Sequence, residues 1–194
     1  MAHNSPKAGF IAGITLLLAA CGSETDDIET SGNIADRSGD ALSEIVGDVG
    51  AISIAAGAFE RTGLKGILEG DASYTVLAPT DTAFDGLGED AKAALASEDR
   101  GAIVAAVLRD HMVPGALTPD AIRSAIQEND GEVSLATFGA GNLTLTLDGE
   151  QIIIRNESGQ SARLTGESIA GNNGVMIPID AVLVDTSALL GASE

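Results

Sequence analysis

The run from Tyr74 to Phe84, Tyr-Thr-Val-Leu-Ala-Pro-Thr-Asp-Thr-Ala-Phe, constrains the fold of this chain more than any other stretch. It opens with uncharged β-branched, aromatic and aliphatic residues, which predicts a short buried strand. Pro79 ends that strand because proline has no N–H for a ladder and keeps the preceding residue extended. Thr80 or Asp81 is predicted to cap a helical turn that follows. The aromatic residue that closes the run is expected to point back into the core.

Helical patterns surround this run. Apolar residues recur at helical spacing over residues 41–70, although several glycines interrupt the pattern. Further on, Thr118 precedes a proline and an apolar stripe, which is typical of a capped helix start.

The second half of the folded part has the period of β-strands. From Gly131 onward apolar and polar residues alternate, and Asp148-Gly149 predicts a hairpin turn. The apolar run from Gly174 to Val184 predicts a long strand, interrupted at Pro178 by an edge position or a bulge. Helices first and strands second predict an α+β domain.

Three runs of this sequence resemble the motifs of the fasciclin (FAS1) domain family. The first is the Tyr74–Phe84 run, which departs from the family at Leu77, where phenylalanine is frequent. The second is His-Met-Val-Pro-Gly at residues 111–115, and the third is Asn-Gly-Val-Met-Ile-Pro-Ile-Asp at residues 173–180. The positions that match the family motifs, and that are read as structural, are Thr75, Val76, Ala78, Pro79, Thr80, Asp81, Phe84, His111, Pro114, Gly115, Asn173, Gly174, Val175 and Asp180.

The resemblance covers about residues 41–187, in the order and at the spacing of the family. It implies a FAS1-like wedge of two β-sheets with helices packed around it. It also implies a role in adhesion. Animal members of the family use a tyrosine-histidine pair linked to integrin binding, and here the pair is Asp110-His111. This departure argues against integrin recognition.

The N-terminal stretch resembles a bacterial lipoprotein signal. A basic residue, Lys7, is followed by an apolar run that is short for a membrane span and ends in Leu-Ala-Ala-Cys at Cys21. The resemblance implies cleavage after residue 20 and lipid attachment at Cys21, with an ordinary signal peptide or an uncleaved anchor as alternatives. Residues 21–40 are mostly small, polar and acidic, which predicts a flexible tether. Residues 188–194 are expected to form a C-terminal tail.

Charge and residue counts restrict the function. The formal net charge of −19 disfavours nucleic-acid binding, because an acidic surface repels phosphate backbones. The single cysteine excludes an internal disulfide and a cysteine-based zinc site. His111 is the only histidine outside the leader; it is interpreted as a structural histidine bonded to neighbouring backbone, with a general base or pH switch as the alternative. No nucleophile motif accompanies it, so we expect no enzymatic activity, no metal and no cofactor.

The sequence therefore predicts an exported, lipid-anchored protein of the cell envelope, at the outer membrane or the periplasmic face. Its fasciclin-like domain is expected to bind an unidentified cell-surface or extracellular macromolecule. The alternative is a periplasmic module that binds a small molecule or a polysaccharide.

Overall fold

The computed structural model describes residues 34–191. The predicted leader, Cys21, most of the predicted tether and the last three residues lie outside the described residues. Within residues 34–191 the strands are β1 Ile34–Arg37, β2 Tyr74–Pro79, β3 Met112–Pro114, β4 Glu132–Ala136, β5 Asn142–Asp148, β6 Gln151–Asn156, β7 Ser161–Arg163, β8 Ser168–Gly171 and β9 Gly174–Ile179. The α-helices are α1 Leu42–Asp48, α2 Ser53–Arg61, α3 Glu89–Ala96, α4 Gly101–Asp110, α5 Pro119–Glu128 and α6 Thr186–Gly191. Short 3₁₀ helices span Gly50–Ile52, Leu64–Glu69, Asp81–Leu87 and Glu98–Arg100.

The strands form two sheets. The five-stranded sheet has the order β1-β8-β9-β2-β3, and the four-stranded sheet has the order β4-β5-β6-β7. In the first sheet β2 runs parallel to β9 and antiparallel to β3. The four-stranded sheet is antiparallel throughout. Two sheets with packed helices confirm the predicted α+β fold.

The five-stranded sheet lies between two apolar cores, and its central strands β2 and β9 are buried on both faces. Val76 and Met176 belong to the core shared with α1 to α4 and α6. Leu77 and Ile177 belong to the core shared with the four-stranded sheet and α5. Parallel strands that are covered on both faces are apolar along most of their length. The burial of β2 and β9 between two cores therefore explains why polar and apolar residues do not alternate in their sequences.

Several local predictions are confirmed. The strand predicted before Pro79 is β2, and the residue that closes the run, Phe84, is buried. The Thr118 side chain accepts a hydrogen bond from the Ala121 N–H and so caps α5. The hairpin predicted at Asp148-Gly149 joins β5 to β6.

The folded part is longer at both ends than predicted. Residues 34–37, within the predicted tether, form β1, which pairs in parallel with β8 at the edge of the sheet. Arg37 holds this segment to the domain, since its guanidinium contacts Asp40 at 2.6 Å and Asp48 at 2.9 Å. At the other end, α6 extends to Gly191 into the predicted tail, and Leu189 is buried in the helical core.

The strand is not interrupted at Pro178, although one of the two predicted explanations for a proline there is correct. Pro178 lies inside β9, in continuous register with Ala78 of β2, so there is no bulge, but on its other side it lies past the end of the pairing with β8, which is an edge position. The Ile179 carbonyl faces β2, so the nitrogen of Pro178 faces the other neighbour, β8. Pairing with β8 ends at Met176, and the position therefore requires no N–H.

The helices of residues 34–191 include none that alone is long and apolar enough to cross a membrane. Among the helices of the described residues, one pair, Leu42–Asp48 and Gly50–Arg61, reaches that length and composition together, and it is bent by 86°.

Candidate functional site

The three motif runs meet in three neighbouring strands. Thr75 of β2 lies opposite Val113 of β3 on one side and Val175 of β9 on the other. Pro79 ends β2, Pro114 ends β3, and Gly174 begins β9. Runs that are far apart in the sequence therefore build one contiguous unit at the centre of the five-stranded sheet.

Thr75 fixes the turn after β3. Its buried hydroxyl donates to the Gly115 carbonyl at 2.7 Å and accepts from the Leu117 N–H at 2.8 Å. Gly115 has a φ of 93°, in the left-handed region that glycine adopts without strain, and its N–H donates to the Ser73 carbonyl at 2.8 Å. The Pro-Gly turn is thereby hydrogen-bonded to Ser73 and Thr75, at the start of β2.

Asn173 joins three elements through one buried side chain. Its Oδ1 accepts from the Leu42 N–H at 2.8 Å, at the start of α1. Its Nδ2 donates to the carbonyls of Leu68 at 2.8 Å and Gly70 at 2.9 Å. The resemblance identified Asn173 as a motif residue, but no local pattern indicated that it caps a helix 131 positions away.

His111 is completely enclosed, at 1% exposure, and both ring nitrogens are bonded to backbone. Nδ1 lies 2.8 Å from the Val107 carbonyl, and Nε2 lies 3.0 Å from the Leu183 N–H. A carbonyl needs a donor and an N–H needs an acceptor, which assigns the proton to Nδ1 and leaves the imidazole neutral. Burial lowers the pKa of His111, against smaller opposing effects of the Val107 bond and the Asp110 charge. This geometry agrees with the structural interpretation of His111 and leaves neither nitrogen free to act as a base.

The role predicted for Thr80 and Asp81 was wrong. The Thr80 side chain does not cap the 3₁₀ helix that follows it, and it contacts Thr82 instead. The Asp81 carboxylate accepts from the Ile54 N–H at 2.9 Å and the Ser53 hydroxyl at 2.7 Å, so it caps α2 rather than its own turn. Desolvation raises the pKa of Asp81, but these hydrogen bonds outweigh it and hold that pKa below its usual value.

Asp180 closes the contact between β9 and the four-stranded sheet. Its Oδ1 accepts from the Arg163 N–H at 2.7 Å, and its own N–H donates to the Arg163 carbonyl at 3.0 Å. The two side chains also approach to 4.0 Å. Asp180 therefore ties two layers together.

The buried imidazole predicts a measurable pH dependence of stability. Unfolded histidine titrates near its ordinary pKa of about 6.5, whereas folded His111 has a lower pKa. Below pH 6.5 the unfolded state therefore binds a proton that the folded state does not, and the free energy of unfolding should fall by up to about 1.4 kcal/mol per pH unit. Asp81 does not interfere between pH 7 and 5, because its contribution is lost only below its unfolded pKa near 3.8. Urea denaturation at pH 7 and at pH 5 measures this change in the free energy of unfolding.

A His111→Gln variant is the control for that measurement. The titration of many surface carboxylates is common to both proteins and cancels in the comparison. The variant should lack the histidine-dependent part of the slope, whatever its overall stability. Equal pH slopes for the two proteins would contradict a neutral His111 in the folded state.

An apolar cavity of about 350 Å³ adjoins His111, between α2, α3 and α4. Its lining includes Ala58, Phe84, Leu95, Val104, Val107 and Val182. Arg61, Asp85 and Lys92 also line it. Sequence reasoning missed this cavity because its walls come from separate segments, and none of them carries a ligand motif.

Within residues 34–191, no group of three or more histidine, cysteine, aspartate or glutamate side chains is placed to hold a metal ion. The side chains of the motif residues described above form hydrogen bonds that connect strands, turns and the first turns of helices. Fold and site together define a scaffold-type α+β domain, whose matched residues hold its layers in place.

Comparison with known proteins identifies that scaffold. The model of the fasciclin domain matches residues 50–185, and the chain belongs to the fasciclin domain family. Among curated proteins, the transforming growth factor-beta-induced protein ig-h3 of Sus scrofa is 26% identical over 131 residues, which is 68% of this chain and 17% of that protein. A solved FAS1 domain pair from the insect cell adhesion molecule fasciclin I matches with a TM-score of 0.68 at 16% identity. That match covers 78% of this chain and 53% of the other, and it establishes the FAS1 fold.

Proposed function

We propose that this protein is a non-enzymatic, lipid-anchored protein of the cell envelope, whose fasciclin domain binds a surface or extracellular macromolecule. Family membership is the observation that carries the proposal, since the solved domain pair comes from a cell adhesion molecule. The chain spans 17% of the curated relative and 53% of the domain pair, so the role is carried over for the domain alone.

The geometry of the motif residues supports a binding role over a catalytic one. Both nitrogens of His111 are bonded to backbone, and Asp81 and Asp180 cap or bridge structural elements. A general base needs an exposed, uncommitted atom within reach of substrate. A scaffold that presents its surface to a partner does not need one.

The anchor at Cys21 is tested by a Cys21→Ser substitution. Lipidation adds about 0.8 kcal/mol of membrane affinity per buried methylene, so its loss should move the protein from the membrane fraction to the soluble fraction. Immunoblotting of the two fractions measures the shift. An Asn172→Ala variant, altered only on the domain surface, should stay with the membrane. Unchanged fractionation of Cys21→Ser would refute the lipid anchor.

The binding role is tested by crosslinking on intact cells, followed by mass spectrometry of the captured species. The expected result is one recurrent surface or extracellular macromolecule, captured by wild type and lost when the cells are treated with urea at a concentration that unfolds the domain. Capture that is unchanged by unfolding would contradict specific recognition by the domain.

The apolar cavity favours a second candidate, a module that binds a small molecule. Ligand sites are typically concave, mostly apolar and about 300–1,000 Å³ in volume, and this cavity falls in that range.

A further inference from the structure

We propose that the cavity between α2, α3 and α4 binds a fatty carboxylate, with the acyl chain in the apolar interior and the carboxylate on Arg61. The inference rests on the small-molecule candidate above. It identifies the ligand class from the chemistry of the lining.

The interior of the cavity offers a ligand little besides carbon. His111 is the buried polar residue of the lining, and both of its nitrogens are committed to backbone groups. A sugar placed there would lose its hydrogen bonds to water without replacement, which is unfavourable. A hydrocarbon chain loses nothing of this kind and gains from leaving water.

Arg61, Asp85 and Lys92 are the charged residues that line the cavity, and two of them are paired with each other. Lys92 contacts Asp85 at 2.9 Å, and it also contacts Glu89, outside the lining, at 3.4 Å. Arg61 has no carboxylate within salt-bridge distance among residues 34–191. Its hydrogen bond to protein there is a long one, 3.5 Å to the Leu95 carbonyl.

Other arginines of residues 34–191 also lack a carboxylate partner, and Arg61 differs from them in that it lines this cavity. Arg61 is exposed, and it also borders a second recess of about 270 Å³ with Thr62 and Ser97. Guanidinium groups bind carboxylates through two parallel hydrogen bonds, and a ligand carboxylate completes the pairing that the protein leaves open. Arg61 ends α2, where a cation also offsets the helix dipole, and the experiment has to separate these two roles.

The volume sets the length of the acyl chain. An engineered apolar cavity of about 150 Å³ accommodates benzene, and the present cavity is more than twice that size. A water molecule takes up about 30 Å³ of liquid water, and if a methylene group is taken as about the same size, the cavity accommodates a chain of about twelve carbons. Dodecanoate is therefore the appropriate probe.

The experiment is calorimetric titration of the full-length chain with sodium dodecanoate below its micelle concentration. Dodecanol and dodecyltrimethylammonium are the head-group controls, and an oligosaccharide panel is run in parallel by thermal melting. Dodecanoate should bind, and Arg61→Gln should weaken it about tenfold by removing a charge-assisted bond. Ala96→Trp should abolish binding, because Ala96 lines the cavity from an exposed position where an indole fills the space without disturbing the core. Arg155→Gln, on an exposed site of the four-stranded sheet, should leave affinity unchanged.

Equal affinity for dodecanol and dodecanoate, or an unaltered dissociation constant in Arg61→Gln, would overturn the role of Arg61 in binding. Undiminished binding to Ala96→Trp would overturn the assignment to this cavity. Stabilisation by an oligosaccharide with no response to dodecanoate would overturn the fatty-carboxylate inference while leaving the small-molecule candidate standing. Loss of Arg61 that lowers stability equally with and without ligand would assign it to the helix dipole alone, against the proposal.

Discussion

Replacing Gly174 by alanine is expected to lower the free energy of unfolding by at least about 3 kcal/mol, as severe overpacking of a core does. A Cβ at Gly174 would overlap the backbone carbonyl oxygen of Tyr74, its register partner in β2, and would lie 2.6 Å from Leu42 Cδ1. A flexible side chain can move aside, but the carbonyl belongs to a buried strand. The methyl group therefore fits only if β9 separates from β2.

Gly101→Ala is the matched control for this substitution. Gly101 is the first residue of α4, and a Cβ there meets nothing within 4 Å. Alanine is the better helix former by about 1 kcal/mol, so this variant should be unchanged or slightly more stable. Urea denaturation followed by far-UV circular dichroism is suitable, because the chain contains no tryptophan. Coincident denaturation midpoints for Gly174→Ala and wild type would show that β2 and β9 are not packed as described.

The sequence was informative where local chemistry determines local structure. The strand that ends at Pro79, the cap at Thr118 and the hairpin at Asp148-Gly149 each depend on a few adjacent residues, and each is present. The α+β architecture followed from the change in hydrophobic period at Gly131. The family motifs added which distant runs belong together.

The predictions failed where a side chain bonds to a distant part of the chain. Asp81 is the first residue of a 3₁₀ helix, and the local rule assigns it to that turn, yet it caps α2 by accepting from the N–H of Ile54, 27 positions earlier. Residues 34–37 have the composition of a flexible tether, because an edge strand with one parallel neighbour needs few apolar residues. The cavity beside His111 depends on how three helices pack against one another. The spacing of apolar residues within one helix does not determine its distance from the other two.

Asn173 was identified from a local motif, but its three hydrogen-bond partners lie far away in the sequence and could not be predicted from it. Asn173→Ala is expected to cost about 3 to 5 kcal/mol, since it leaves the Leu42 N–H and the Leu68 and Gly70 carbonyls without their bonds in a buried site. Asn173→Asp should not rescue stability. Its carboxylate still accepts from Leu42, but it donates nothing and faces two carbonyl oxygens with a negative charge.

Asn172→Ala separates this network from the turn that contains it. Asn172 is exposed, and its bond to the Asp40 carbonyl uses the backbone N–H, which alanine retains. The control should therefore unfold within about 0.5 kcal/mol of wild type, as surface substitutions usually do. Hydrogen exchange sharpens the test, because loss of the cap should expose the first turn of α1 to exchange more than the strands. Asn173→Ala and Asn172→Ala with equal stabilities would mean that the three bonds do not hold α1 and the 64–69 turn to β9, and the contact between helices and sheet would then rest on apolar packing alone.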